Sequence, residues 1–239
     1  MTEDERLGAP VPGWSPPERP GFSHLAGRYV GVERLDPSRH AAELHAAMAG
    51  HDALWDYMPY GPFAREADYR AWMEDVAPGA DPWFVAFRDR QSGRAAGVAS
   101  YLRIAPEAGS IEVGHIALSP ALQKSRAATE ALFLMMRWAF EAGYRRYEWK
   151  CNALNLGSRR AAERFGLSFE GIFRQAAVVK GRNRDTAWFA AIDGEWPALR
   201  AAYETWLDPA NFDPSGRQKV RLSDLTRPIL ATRDPALGG

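Results

Sequence analysis

The chain reads as an α+β protein with one central mixed, mostly antiparallel sheet of about seven strands and helices on both faces. Three observations predict this. Residues 114–171 run strand, polar loop, long amphipathic helix, strand, short Asn/Ser-led helix, strand; a strand–helix–strand unit of that size joins two parallel strands through a right-handed crossover. Ahead of it, two strand-like runs at 83–87 and 95–104 flank the turn formers of 89–93, which predicts a hairpin. Behind it, 169–179 and 186–192 flank a polar turn and predict a second hairpin.

The elements follow in order. Residues 1–25 carry Pro10, Pro12, Pro16, Pro17 and Pro20, which exclude helix and central strand. This arm is expected to be free chain unless Trp14 and Phe22 pack it down. A first strand spans 29–35. Asp36-Pro37 then opens a helix, with Asp as N-cap and Pro at the first helical position. Ala41, Leu44, Ala47 and Met48 form its apolar face, and Gly50 ends it. Residues 54–63 are dense in aromatic and turn-forming residues, and a second helix covers 65–76. A strand at 110–118 leads into the loop 120–127 and a helix from about 128 to 142, where Leu132, Met135, Met136, Ala139 and Phe140 recur at helical spacing. Gly143 stands where a C-terminal cap belongs. The strand at 147–151 precedes a helix led by Asn152, Asn155 and Ser158 and ended by Gly166. Trp196, Leu199, Tyr203 and Trp206 share one face of a closing helix at 196–207. Residues 208–239 turn polar and are expected to lie on the body, to lie on a partner subunit, or to be plain terminal disorder. The division is thus an N-terminal arm (1–25), one domain (26–207) and a C-terminal arm (208–239), and a homodimer is one arrangement it allows.

Composition excludes several classes of function. The 239 residues hold 30 Lys plus Arg against 30 Asp plus Glu, so the surface has no net positive field for bulk nucleic-acid binding. Cys151 is the one cysteine; no intrachain disulfide can form, and a reducing, cytoplasmic setting is expected. The acidic start, residues 1–5, is not followed by an apolar segment, so no signal peptide is expected. No apolar run approaches the length of a membrane span.

Three motifs carry a resemblance to a known family. The first is Ile111-Glu112-Val113-Gly114-His115 followed by Leu118-Ser119-Pro120. The second, and most specific, is Asn155-x-x-Ser158 leading to Arg164-Phe165-Gly166-Leu167 and Phe169-Glu170-Gly171. The third is Lys180-Gly181-Arg182-Asn183-Arg184-Asp185. Together they resemble the GNAT acyl-CoA N-acetyltransferases, in particular the RimJ/RimL-like branch that acetylates the N-terminal residue of ribosomal proteins. The resemblance covers roughly residues 25–193. It implies a parallel central pair that splays apart, with the pantetheine arm of acetyl-CoA in the gap. One departure stands out. The family's loop reads Gln/Arg-x-x-Gly-x-Gly/Ala, whereas here it reads Gln123-Lys124-Ser125-Arg126-Ala127-Ala128. Arg126 occupies the position of a glycine that lets backbone approach phosphate closely or adopt a positive φ, although its guanidinium could itself meet a phosphate.

Candidate site residues follow. A loop opening directly into a helix presents free N–H groups at the positive end of the helix dipole, which makes an anion site. The resemblance implies that acetyl-CoA lies along Ile116 and Leu118 and is held by Gln123, Lys124, Ser125, Arg126, Ala127, Ala128, Asn155 and Ser158. Arg159, Arg160 and Arg164 could also meet its phosphates or form a solvated basic face. Acetyl transfer to an amine needs a base, because only the neutral amine attacks. Glu112 on the central strand is the first candidate and His115 the rival. Strand alternation predicts that they face opposite sides of the sheet. Both could instead be structural, as a paired carboxylate and a core histidine. The resemblance places Ser158 near the sulfur of the leaving thiolate; its other reading, and that of Asn155, is a helix cap. The family's alternative tyrosine position is Ala162 here. Trp55, Tyr57, Tyr60 and Phe63 either line the acceptor site or simply anchor a loop. No metal is expected. The reading is an acetyl-CoA-dependent N-acetyltransferase acting on a primary amine through a ternary complex. The alternative, motivated by Arg126 and Ala162, is a non-catalytic acyl-CoA-binding protein.

Overall fold

The computed structural model describes residues 6–238, so the acidic stretch 1–5 of the N-terminal arm and Gly239 of the C-terminal arm lie outside the described residues. Its strands are β1 (His24–Ala26), β2 (Val30–Arg34), β3 (Trp83–Asp89), β4 (Ala95–Ala105), β5 (Ser110–Leu118), β6 (Arg146–Asn152), β7 (Ser168–Val179) and β8 (Arg182–Ile192). They form one eight-stranded sheet in the order β1-β2-β3-β4-β5-β6-β8-β7. Every neighbouring pair is antiparallel except β5–β6. The strand beyond the seven expected is β1, three residues within what reads as the proline-rich arm; a run that short carries no periodicity.

The helices are α1 (Pro37–Met48), α2 (Glu66–Val76), α3 (Arg126–Glu141), α4 (Leu156–Arg164), α5 (Trp196–Leu207) and α6 (Leu222–Thr226). Asp36 caps α1 by accepting the Ser38 N–H at 2.8 Å, with Pro37 at the first position. α3 begins two residues earlier than its apolar spacing predicts, because Ser125 is its N-cap and accepts the Ala128 N–H at 3.0 Å. It ends before Gly143, whose left-handed φ of 98° reverses the chain.

Both sheet faces are covered. Val30, Val32, Tyr101, Ile111, Val113 and Tyr147 join Leu132, Met135 and Met136 of α3 in one core. α5 packs on the outer side of α3, with Phe133 against Tyr203 (4.9 Å between ring centres) and Phe140 against Trp196 (5.1 Å). Phe84, Ala86, Val98 and Ala117 form the opposite core with Leu44 and Met48 of α1, Met73 of α2 and Trp55. Each fully buried side chain of this size contributes roughly 1.5–3 kcal/mol.

The central pair is splayed. β5 and β6 pair only over Ser110–Val113 and Arg146–Trp149. Beyond that, β5 continues paired to β4 and β6 to β8, which leaves a wedge between the second half of β5 and the end of β6. The chain's ends lie along the body. Phe22 sits 5.3 Å from the Trp138 ring, and the Tyr144 hydroxyl donates to Glu18 O. On the other side, the Arg159 guanidinium grips Asp234 (2.6 and 2.5 Å), and the Ala231 N–H donates to Ser168 Oγ.

Candidate active site

The loop after β5 is shaped by its own hydrogen bonds. The Leu122 and Gln123 N–H groups donate to Ser119 O, and the Gln123 amide reaches back to Leu118 O at 3.0 Å. The left-handed residue is Lys124, with φ of 57°. Arg126 is already the first residue of α3, so the positive φ that a glycine would allow at its position is not needed there: the turn is made two residues earlier, at Lys124. Its guanidinium lies over the rings of Phe212 (4.6 Å) and Tyr29 (5.0 Å). The N–H groups of Arg126 and Ala127, in the first turn of a sixteen-residue helix, have no acceptor within the helix and point out of its positive end.

Two of the arginines that could have met phosphate are engaged elsewhere. Arg159 is buried on Asp234 and donates to Ala153 O. Arg164 lies over Trp206 and Phe165 and donates to Thr129. Asn155 is a cap, with Oδ1 accepting the Ser158 N–H at 3.0 Å. Ser158 is more than a cap residue: its Oγ accepts the indole N–H of Trp149 at 2.9 Å, at the end of β6 where the wedge opens. Cys151, next to it, is buried, and burial pushes its thiol pKa up.

Glu112 lies between Ile111 and Val113, which face α3, so its side chain points to the α1–α2 face. Its Oε2 accepts from Arg103 at 2.7 Å and lies 3.0 Å from the Lys150 ammonium. Burial raises its pKa, outweighing the two cations. His115 was expected on the other face. Instead its left-handed φ of 51°, with a slip in the β4–β5 register between Val98 and Ser100, breaks the alternation. Its ring stacks on Phe84 at 5.0 Å, on the same face as Glu112, and Ser100 Oγ lies 2.8 Å from its Nδ1. Burial, helped by Arg103 and Arg184, lowers its pKa to about 4, which keeps the imidazole neutral near pH 7.

The aromatic segment after α1 covers this face. Trp55 and Phe63 are anchors, packed on each other and on Tyr69. Tyr60 reaches further, to 5.7 Å from the His115 ring. The Tyr57 hydroxyl touches Leu154 O, ahead of α4, at 3.4 Å. From the β7–β8 turn, the Lys180 ammonium donates to Trp55 O at 2.9 Å and ties the hairpin tip to the segment.

Sequence reasoning missed Arg103, Lys150, Arg184 and Trp188. Lys150 is buried between Glu112, Glu148 (2.8 Å) and the face of the Trp188 ring (3.6 Å). One signal was available: Arg146, Glu148 and Lys150 alternate with Tyr147, Trp149 and Cys151, and a charged row on a strand covered on both faces must be paired or functional. The elements that a phosphate-bearing ligand with an extended amide arm requires are therefore all present: free N–H groups at a helix start, an unpaired strand edge and a wedge. Among the described residues no His/Cys/Asp/Glu group could hold a metal ion, and no helix is long and apolar enough to cross a membrane.

Residues 31–168 match the acetyltransferase (GNAT) domain family. Among solved structures, a GCN5-related N-acetyltransferase from Brucella melitensis is 45% identical, with 91% of this chain and 100% of that one covered and a TM-score of 0.89. A probable GNAT-family acetyltransferase from Chromobacterium violaceum is 42% identical over 80% of this chain and 96% of that one, with a TM-score of 0.76. RimL, the ribosomal L7/L12 alpha-N-protein acetyltransferase, in complex with coenzyme A, shares the fold at 21% identity and a TM-score of 0.60, over 70% of this chain and 95% of that one. No curated protein matches the chain.

Proposed function

The chain belongs to the GNAT acetyltransferases, and from that premise we propose that it transfers the acetyl group of acetyl-CoA to a primary amine by direct attack in a ternary complex. The single observation that carries this reading is the pairing of the β5–β6 wedge with a buried, pKa-raised carboxylate at its foot. Acetyl-CoA, when bound, supplies the acetyl group as a thioester. The N–H groups of Arg126 and Ala127 meet its phosphates, with the Lys124 ammonium nearby. The strand edge at Ile116 and Leu118 and the amide of Asn155 align its extended arm.

Glu112 takes the amine's proton, directly or through one water. Both of its cations sit on Oε2, which leaves Oε1 to accept the proton. Arg103 and Lys150 favour the ionised carboxylate, while burial makes it a stronger base than an exposed glutamate. His115, neutral and held beside Ser100, positions the acceptor. Ser158 acts at the sulfur: its oxygen accepts the Trp149 N–H, and its own O–H is left to donate to the departing thiolate. Tyr57 and Tyr60 line the acceptor's entry, with Trp55 and Phe63 holding them in place. A peptide N-terminus, the acceptor type named for RimL, is one of the amine classes this reading includes.

The test incubates the protein with acetyl-CoA and a panel of amines, measuring free CoA thiol and the mass of each amine. Equal amounts of thiol and acetylated amine support the reading. Tight acetyl-CoA binding without release of thiol with any amine would leave only an acyl-CoA-binding protein.

A further inference from the structure

We infer that the acceptor carries a carboxylate close to its reactive amine, and that Arg184 is the residue that receives it; this inference rests on the acetyltransferase reading above for the position of the amine. On the α1–α2 face of the sheet, at the foot of the wedge, six ionised groups form one chain of contacts, Arg103–Glu112–Lys150–Glu148–Arg146–Glu170, with links of 2.5–3.0 Å. Three cations meet three anions, so this chain is neutral and none of its members needs an outside partner.

Arg184 stands apart from it. No carboxylate pairs with it among the described residues, and its Nε is buried with no hydrogen-bond partner. It lies on β8 at the same side as Trp188, two alternations away, and close enough to His115 to depress its pKa. Two other buried donors on this face lack acceptors: the indole N–H of Trp188, whose ring covers Lys150, and the hydroxyl of Tyr60, whose ring adjoins His115. An unpaired buried donor is destabilising, and more so when it belongs to a cation without a counter-ion. A surplus guanidinium on a face that carries two further unpartnered donors, one N–H and one O–H, is the complement of a carboxylate, which accepts several hydrogen bonds and matches the guanidinium fork. The reaction is compatible with the same sign. Once Glu112 has removed the amine's proton, an acceptor of this kind is left with one negative charge, which Arg184 balances. A polyamine or other purely cationic acceptor would instead add positive charge beside a cation that already has no counter-ion.

The carboxylate can be the α-carboxylate of a free amino acid or the side chain of an acidic first residue in a peptide, and two matched pairs distinguish these. The first is methionine against methionine amide. The second is a C-terminally amidated tripeptide beginning with Asp against the same peptide beginning with Asn. Each compound is assayed for kcat/KM in CoA release and, separately, for binding by calorimetry to the protein saturated with CoA. In at least one pair the carboxylate-bearing member should bind and react at least ~10-fold better, the size of one modest charge-assisted contact. Arg184→Gln should bring that ratio towards one in both readouts, and Arg184→Lys should restore part of it. Equal affinity within both pairs, or an unchanged ratio in Arg184→Gln, overturns the inference. Selective, Arg184-dependent binding without any CoA release would keep the inference and remove the acetyltransferase reading; CoA release without selectivity would do the reverse.

Discussion

Ser158 illustrates how one side chain serves both the fold and the site. Its N–H is spent on the Asn155 cap, while its hydroxyl oxygen is fixed by the indole of Trp149. Replacing it with Ala removes the hydroxyl and leaves the cap bond intact, because that bond uses the backbone. Turnover should fall by ~10²-fold, the low end for a lost proton donor, while acetyl-CoA affinity measured by calorimetry should hold; an unaltered rate would reduce Ser158 to a helix-start residue. At this scale the sequence was only partly legible. Strand placement and the Asn-x-x-Ser motif single out Glu112, His115 and Ser158 as candidates. The shared face of Glu112 and His115 was not found, because alternation assumes an unbroken pleat and no residue type announces the left-handed backbone at His115. The partners Lys150 and Trp188 were also missed, because their meeting depends on β8 lying beside β6 in the sheet.

Among the elements, α3 carries the most weight, because its first turn forms the proposed phosphate site and its apolar faces fill the larger core. Its position is fixed by Glu130, whose buried carboxylate accepts the N–H groups of Arg28, Tyr29 and Val30 at 2.6–3.0 Å. This ties the helix to the turn before β2. Gly27 is required there, since a Cβ at that position would lie 2.4 Å from Glu130 Oε2. Hydrogen bonds to a charged group contribute more than neutral ones, so Glu130→Gln should lower stability by about 1.5–3 kcal/mol. Urea unfolding followed by circular dichroism checks this, and an unmoved midpoint would mean that the tie adds nothing. The helix itself was legible from Leu132, Met135, Met136 and Phe140. Its true start was not, because Arg126 and Ala127 fit a loop as readily as a first turn until Ser125 is seen capping Ala128. The role of Glu130 depends on partners about a hundred residues away in the chain, which no local pattern marks.

Across the whole molecule, the two ends behave as straps. The described part of the N-terminal arm packs on the C-terminal end of α3 and the turn after it, at Trp138 and Tyr144, and the C-terminal arm locks onto α4 through the Arg159–Asp234 pair, both members of which are buried. Composition showed the polar, proline-broken character of these arms, but a single buried aspartate five residues from the end carries no pattern that marks it as a partner for Arg159. Asp234→Ala leaves a buried guanidinium without its counter-ion and should cost about 3–5 kcal/mol. Thermal or urea unfolding reads this directly, and a loss below about 1 kcal/mol would show that the arm is a loose appendage. The straps leave the wedge and the Glu112 face open, and the proposed reaction turns on this carboxylate taking the amine's proton during acetyl transfer. The most direct test is the pH dependence of kcat/KM for the wild type and Glu112→Gln with one accepted amine. In the wild type the rate should rise with pH as Glu112 ionises, with the midpoint above that of an ordinary glutamate because its pKa is raised, and His115, already neutral above about pH 4, should add no limb near neutrality. Glu112→Gln should lose that limb and ~10²–10⁴-fold in rate, with acetyl-CoA affinity retained. Near-full activity and an unchanged profile in Glu112→Gln would contradict the account.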